Sequence, residues 1–403
     1  MVAVACLPTP PQIVSRLDAE IVGQRNAKRL LALAVYRHYL GQRLRELPSG
    51  RDLGPQHQLL IGPTGVGKSM LVRVLCEILG VPTAFTAATS LVETGYVGAP
   101  VESMFYSLCD RAGGDVALAE RGIVFLDEFD KLRRAPEVGR DVSGEGVQNG
   151  LLTLLDGRPV RLRHRDRELV IDTSKVLFLC TGAFAGLPAI VRRRLSRHGG
   201  GLGFVGSPRA QEREDDQLLA RATPEDLVEF GIIPELVGRF AGIVPLHLLS
   251  RADLERVLAG IEGSPLRAKQ RLFEVHGVRL EVSPDARRAL VDLVLAQGLG
   301  ARGLNRVVAE AFADVEFQLP GLAERGVGAV RMTRDVVEKR AQPVLLQRRE
   351  VPEPAKPVPS AEQLRWGALG PPARPEPPRT RTTRPSPRPR PAPGAPTLFE
   401  AGS

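Results

Sequence analysis

The sequence predicts an α/β domain with a parallel sheet, followed by a smaller, mainly helical domain. Between residues 11 and 247, short apolar runs typical of strands alternate with helical patterns, as in parallel-sheet proteins. The predicted strands are residues 58–61, 83–87, 122–126, 175–180 and 242–246. Residues 248–346 have a mainly helical pattern. We predict an extension over residues 1–10 and a tail over residues 347–403.

The helical domain carries recognisable start signals. Ser250 and Ser283 are predicted N-caps, and Pro284 follows the second of them at a first helical position. Residues 302–319 are predicted as a further helix. Residues 328–332 predict at most a short strand, because Arg331 interrupts the apolar pattern.

A complete phosphate-binding loop pattern follows the first predicted strand. The pattern G-x-x-x-x-G-K-[ST] is matched by Gly62, Pro63, Thr64, Gly65, Val66, Gly67, Lys68 and Ser69. The strand before it and the helical pattern after it are the setting that this loop requires. Backbone amides and the helix N-terminus would then hold phosphate oxygens. Lys68 would reach the β- and γ-phosphates, and Ser69 would ligate Mg²⁺.

Two adjacent acids end the third predicted strand. Asp127 and Glu128 follow an apolar run, and a parallel strand delivers its last residues to the ligand edge of the sheet. We expect Asp127 to hold Mg²⁺ and Glu128 to activate the attacking water.

Hydrolysis of a nucleoside triphosphate also needs positive charge near the phosphates. Arg239 and Arg302 are candidates for that charge, but their spacing alone does not assign either role.

Composition limits the class of protein. The chain has 403 residues, a net charge of +9 and an ordinary 43% of hydrophobic residues. It has no apolar run near the roughly 20 residues of a membrane helix, so no membrane partner is expected. Its four cysteines are scattered without a C-x-x-C pair. We therefore expect no zinc, no disulfide framework and a reduced, cytoplasmic location.

The last part of the chain is rich in proline and arginine. Residues 351–403 hold eight basic and four acidic residues. Such a composition buries too little apolar surface to offset the entropy of ordering, so the tail is predicted to be disordered.

The order of several short motifs resembles the ClpX family, the AAA+ unfoldases that feed the ClpP peptidase. The resemblance covers most of the chain up to about residue 346. It rests on the phosphate loop, the acidic pair and seven further blocks: residues 21–24 (IVGQ), 95–98 (GYVG), 140–148 (RDVSGEGVQ), 172–175 (DTSK), 182–186 (GAFAG), 233–239 (IPELVGR) and 300–303 (GARG). The related HslU family carries a long insertion domain for which this chain has no room.

The resemblance implies an ATP- and Mg²⁺-dependent homo-hexamer with an AAA+ fold and a helical lid domain. It assigns Arg239 as an arginine finger acting on the neighbouring subunit and Arg302 as the sensor-2 residue. Ile21 and Val22 match the adenine pocket, and Thr181 the sensor-1 position. Tyr96 and Val97 match the pore loop that grips unfolded or tagged protein substrates. The alternative for Tyr96 is an ordinary core tyrosine.

A second loop resembles the family's contact with its peptidase. Leu202, Gly203 and Phe204 form an apolar triplet in a glycine-rich stretch, and they match the loop that docks into ClpP. A buried loop anchor is the alternative.

The chain also departs from the family pattern. The family's amino-terminal zinc domain is not expected here. Ala99 and Pro100 replace the usual acidic residues, and the basic loop over residues 161–167 is short. These departures concern the selection of substrates rather than catalysis.

The sequence is therefore compatible with three functions. The first is an ATP-driven unfoldase that delivers proteins to ClpP, and the second is a stand-alone remodelling chaperone. The third is a nucleic-acid-associated ATPase, suggested by the basic tail. Nucleic acid is not the expected partner, because the sequence contains no folded DNA-binding motif.

Overall fold

The computed structural model describes residues 7–45, 53–92, 99–134, 144–164, 167–197, 208–261, 263–298 and 300–348. The first ten helices are α1 (Pro10–Glu20), α2 (Arg25–Arg45), α3 (Lys68–Leu79), α4 (Ser103–Arg111), α5 (Val116–Ala119), α6 (Gly144–Leu155), α7 (Leu187–Arg197), α8 (Pro208–Leu219), α9 (Pro224–Phe230) and α10 (Pro234–Val237). The first nine strands are β1 (Gln58–Ile61), β2 (Thr83–Ala87), β3 (Leu91–Val92), β4 (Ala99–Pro100), β5 (Ile123–Asp127), β6 (Pro159–His164), β7 (Arg167–Asp172), β8 (Leu177–Gly182) and β9 (Gly242–Pro245). None of the described helices is long and apolar enough to cross a membrane.

A five-stranded parallel sheet organises the first domain, and it has the order β2-β5-β8-β1-β9. Neighbouring residues of β1 point to opposite faces: Leu59 packs into one apolar cluster and Leu60 into another. Helices α1, α2 and α3 cover the second cluster. Because both faces are covered, the strands are apolar at nearly every position, which is the signal that predicted them.

The predicted strands agree with the observed ones except at their ends. Strand β8 begins at Leu177, two residues later than predicted. The Asp172 carboxylate accepts a hydrogen bond from the Ser174 amide at 3.1 Å and caps a 3₁₀ turn over Thr173–Lys175. This local turn takes the residues that the apolar pattern had assigned to the strand.

The C-terminal elements have their own apolar core and a small sheet. They are α11 (Arg251–Ala259), α12 (Pro265–Val275), β10 (Arg279–Val282), α13 (Pro284–Gln297), α14 (Ala301–Glu324), β11 (Val327–Met332), α15 (Arg334–Val337) and β12 (Val344–Gln347). Strand β11 pairs in parallel with β10 and antiparallel with β12. The part is mainly helical, as expected, but β11 is a full six-residue strand. Gln347, the first residue of the predicted tail, still lies in β12.

The predicted helix starts in this part are confirmed. The Ser250 hydroxyl accepts a hydrogen bond from the Asp253 amide, and the Ser283 hydroxyl from the Ala286 amide, both at 3.1 Å. Each hydroxyl satisfies an amide that has no partner within its helix. Helix α14 extends beyond the predicted residue 319 and contains Pro320.

Candidate nucleotide site

The phosphate loop lies between the carboxyl end of β1 and the first turn of α3. Gly67 is the N-cap of α3 and has φ 96° and ψ 17°, a left-handed conformation that a side chain disfavours. This glycine lets the chain turn sharply, so that the amide groups at the start of α3 are directed toward the loop. The loop can therefore supply the backbone donors that the sequence motif predicts.

Lys68 is folded back over the loop. Its ammonium group donates hydrogen bonds to the carbonyl oxygens of Gly62 at 2.6 Å and Pro63 at 2.8 Å, and the residue is only 9% exposed. Burial lowers the pKa of Lys68 to about 8, and the nearby Asp127 carboxylate opposes that shift in part. An ammonium group bonded only to neutral carbonyl groups forms stronger, charge-assisted hydrogen bonds when phosphate oxygens come within its reach.

Ser69, Asp127 and Thr181 form one hydrogen-bonded group. The Ser69 hydroxyl donates to Asp127 Oδ2 at 2.7 Å, and the buried Thr181 hydroxyl donates to Oδ1 at 2.6 Å. Partial burial by itself would raise the pKa of Asp127, but these two bonds, the Glu128 amide and Lys68 hold it below its ordinary value. The carboxylate is therefore anionic. A hydroxyl beside an anionic carboxylate is a set of oxygen ligands suited to Mg²⁺.

Glu128 follows Asp127 in a strained backbone conformation. Its φ is 59° and its ψ 33°, values that few residues other than glycine adopt. The side chain is exposed at the carboxyl edge of the sheet, where Oε2 accepts a hydrogen bond from the Thr89 hydroxyl at 3.2 Å. Strain of this kind is often kept at functional positions.

The second domain contacts the phosphate loop directly. The amide of Ala301, the first residue of α14, donates to the Gly65 carbonyl oxygen at 3.1 Å. Gly300 has φ 55°, and a Cβ atom there would lie 3.0 Å from that same oxygen. Only glycine fits this approach without displacement. Arg302 is exposed in the first turn of α14, and its charge helps to lower the pKa of Lys68.

The segment predicted as the adenine pocket packs behind the loop. Ile21 and Val22 are buried. Gln24, two residues later, donates to the Val66 carbonyl of the loop at 3.3 Å. Its amide group also exchanges two hydrogen bonds with the backbone of His247, at 2.7 and 3.0 Å. Gln24 thus ties this segment both to the loop and to the chain that leads into α11.

Arg239 lies apart from these residues. It precedes β9, which pairs in parallel with β1, whereas the phosphate loop follows β1. Arg239 and the phosphate loop therefore lie at opposite ends of the strands, separated by the roughly 13 Å length of a four-residue strand. Arg239 is 44% exposed, and its Nε lies 2.6 Å from Asp156 Oδ1. The structure does not bring it to the phosphate loop of its own chain.

Two predicted sites and the tail fall outside the described residues. Tyr96 and Val97 of the pore loop, and Leu202, Gly203 and Phe204 of the docking loop, belong to stretches that the structure does not describe. The same holds for residues 349–403. Their roles stay predictions.

Three site residues were missed by the sequence analysis. Gln24 ends the motif of residues 21–24, whose pattern assigns it no role. Thr89 bonds to Glu128. The buried Asp130 accepts from the Ala183 amide at 3.1 Å and supports the end of β8. No local sequence pattern could have indicated Thr89 or Asp130, because each forms a hydrogen bond at the end of a strand that is distant in sequence.

Comparison with known proteins identifies the class. Residues 56–243 match the family profile described as AAA domain (Cdc48 subfamily). Residues 249–316 match the C-terminal, D2-small domain, of ClpB protein. The chain is therefore an AAA+ ATPase, an ATP-hydrolysing enzyme that uses nucleotide together with Mg²⁺.

Relatives identify the family within that class. The chain is 40% identical over 329 residues to the ATP-dependent Clp protease ATP-binding subunit ClpX of Azotobacter vinelandii, an alignment covering 78% of this chain and 75% of that protein. It is 37% identical to ClpX of Borrelia duttonii (strain Ly), covering 86% and 83%. It is 38% identical to ClpX of Treponema denticola, covering 79% of each chain. The protein belongs to the ClpX family, as the order of motifs predicted.

We expect nucleotide binding to take up a proton at high pH. In the free protein the pKa of Lys68 is about 8, and bound phosphates would raise it. Below about pH 7 the ammonium is charged in both states, so no proton is exchanged. At about pH 9 it is neutral when free and protonated when bound, so affinity falls by up to about tenfold per pH unit above 8.

Calorimetry in buffers of different ionisation enthalpy measures this uptake. The control is Lys68→Arg, whose guanidinium stays charged throughout, so that its proton uptake is lost. Equal proton exchange for the wild-type protein at about pH 7 and pH 9 would contradict the assignment.

Proposed function

We propose that the protein is an ATP-driven unfoldase of the cytoplasm that assembles as a homo-hexamer and pulls substrate proteins through its central pore. We further propose that it delivers them to the ClpP peptidase. The observation that carries the proposal is the position of Arg239, at the sheet edge opposite the phosphate loop of its own chain. In the proposed ring, an arginine at this position acts on the site of a neighbouring subunit, so hydrolysis depends on assembly.

Within one subunit, the proposed roles follow from the contacts. Lys68 exchanges its carbonyl partners for phosphate oxygens, and the loop amides bind the remaining oxygens. Ser69 and Asp127 would hold Mg²⁺, and the ion would supply positive charge against the phosphates. Thr181 orients the Asp127 carboxylate through a 2.6 Å hydrogen bond. Glu128, anchored by Thr89, accepts the proton of the attacking water.

The second domain is proposed to respond to the nucleotide. Helix α14 bonds to Gly65 through its first amide, and Arg302 follows at the next position. A phosphate in the loop would attract the Arg302 guanidinium and tighten this contact. Its loss after hydrolysis would release the second domain. We propose that this movement drives the pore loop that carries Tyr96 and Val97. The aromatic ring of Tyr96 would grip the substrate, because an aromatic ring flanked by glycines can pack on any polypeptide.

The decisive experiment measures unfolding of a stable, tagged test protein. The wild-type protein should unfold it with ATP, whereas Tyr96→Ala should lose unfolding by at least about tenfold and keep its ATPase, since grip and hydrolysis use different residues. Tyr106→Ala, at a 37% exposed tyrosine of α4, serves as the matched control. Equal loss of both activities in Tyr96→Ala would assign that residue to the core instead.

A second arm of the experiment adds ClpP. Phe204→Ala should stop degradation while sparing ATPase and unfolding, whereas Phe204→Leu, which keeps an apolar tip, should retain part of it. One phenylalanine contributes only about 1.5–3 kcal/mol, but several loops on one ring bind together. Unfolding without any ClpP-dependent degradation by the wild-type protein would favour a stand-alone remodelling chaperone.

A further inference from the structure

A cavity of about 960 Å³ lies beside the edge strand β2, away from the phosphate loop. Its walls come from the end of α3, the turn into β2 and parts of α1, α2, α4 and α5. The phosphate loop lies at the start of α3 and the cavity lies at the end of this helix. The two sites are therefore at opposite ends of α3. Asp127, Glu128 and the loop residues take no part in the lining.

The cavity is strongly basic. Five arginines and a single carboxylate, that of Glu77, line it; the arginines are Arg16, Arg43, Arg73, Arg111 and Arg121. Among the described residues, the side chains of four of them, all except Arg43, form no ion pair with a carboxylate. All five side chains are exposed to solvent. Here the four charges come from α1, α3, α4 and the segment before β5, and they meet at one concavity.

An aromatic ring holds two of these arginines in place. The Arg73 guanidinium lies 4.8 Å from the centroid of the Phe85 ring, and that of Arg111 lies 5.7 Å from it. Phe85 is itself fixed by an edge contact with Phe125, with centroids 5.4 Å apart. Cation–π contacts of this kind restrict flexible side chains before any ligand binds. The two guanidinium groups are thus positioned at β2, and neither forms an ion pair with a carboxylate of the described residues.

We propose that this cavity binds a compact ligand with several phosphate groups. Guanidinium groups bind phosphate oxygens in pairs and suit this chemistry better than any other side chain. The volume is that of a small-ligand site. Five arginines against one carboxylate around such a volume match closely spaced phosphates, whereas the carboxylates of a peptide are spread along its backbone. The site is independent of ATP hydrolysis and of the proposed unfolding activity.

Titration calorimetry with inorganic tripolyphosphate tests the proposal on the full chain. The phosphate loop is first filled with saturating ADP, and free Mg²⁺ is kept constant. One equivalent should bind, with an affinity that falls steeply as salt rises. The double variant Arg73→Gln with Arg111→Gln should lose at least about tenfold in affinity, because each arginine contributes charge-assisted hydrogen bonds. Arg287→Gln, at an exposed arginine of α13, should stay within about twofold of wild type.

A second ligand, ATP, distinguishes the source of the phosphates. Binding of tripolyphosphate but not ATP under the same conditions identifies a free polyphosphate chain, and comparable binding of both identifies a phosphorylated nucleotide. Melting temperature and ATPase of the double variant should match the wild type, since Arg73 and Arg111 lie outside the nucleotide site.

The proposal is overturned by any of three results. The first is no binding of tripolyphosphate once the phosphate loop is filled. The second is binding that the double variant leaves unchanged, which would locate it elsewhere, for example on the basic tail. The third is equally tight binding of a glutamate peptide of the same charge, which would make the cavity a surface for acidic peptides.

Discussion

Glu128→Gln is expected to bind ATP as well as the wild type and to hydrolyse it at least about a hundredfold more slowly, the usual contribution of a positioned general base. The amide keeps the shape of the side chain but cannot accept the proton of the attacking water. ATP affinity should persist because Lys68, Ser69 and Asp127 are untouched, and the hydrogen bond between Ser69 and Asp127 does not involve Glu128. Turnover of ATP and equilibrium binding of a labelled nucleotide measure the two effects separately.

The control for this variant is Glu212→Gln, at an exposed glutamate of α8. It removes the same charge far from the strand ends and should leave turnover within about twofold of wild type. Thr89→Val is a graded test, since it removes only the 3.2 Å hydrogen bond that holds the Glu128 carboxylate. Near-normal turnover in Glu128→Gln would mean that another group activates the water.

Arg239→Ala is expected to lower ATP turnover by about a thousandfold or more, within the range of an arginine finger, while ATP affinity stays within a few-fold. The residue stands at the sheet edge away from its own phosphate loop, so its loss should leave binding within the subunit intact. Asp156 loses its ion-pair partner in this variant. Asp156→Asn therefore serves as the control, because it removes the ion pair but keeps the arginine.

Mixing two inactive variants tests whether the site is shared. A Lys68→Ala subunit cannot hold nucleotide well but still carries Arg239. An Arg239→Ala subunit has an intact phosphate loop. In mixed rings, some competent loops face an intact arginine, so turnover should partly recover. An absence of recovery at every mixing ratio, with ring assembly verified by sedimentation, would contradict a finger that acts between subunits.

Much of the nucleotide site could be predicted because its signals are local. The phosphate loop needs glycines and a lysine at fixed spacing, and Gly67 has the left-handed conformation that this spacing implies. Asp127 could be placed because an apolar strand must deliver the residue that follows it to the sheet edge. The structure then brings Ser69 and Asp127, 58 positions apart, within 2.7 Å.

Other parts of the site had no local signal. Gln24 bonds to His247 across 223 positions, a contact that depends on how the chain returns to the loop. Thr181 resembled a sensor residue by position, and only the structure places its hydroxyl on Asp127. The small sheet of the second domain was underestimated because β12 is largely exposed, so it lacks the continuous apolar pattern that marks a buried strand.

The sequence by itself determined the parallel-sheet class, the phosphate loop, the acidic pair, the helix caps and the family, because each depends on residue types at short spacing. The tertiary structure alone decided that Arg239 lies at the end of the sheet opposite its own phosphate loop, that the first amide of α14 bonds to Gly65, and that arginines from four helices and one connecting segment surround one cavity. These features join residues that are far apart in the chain. Their positions follow from the packing of whole elements, which short-range patterns do not specify.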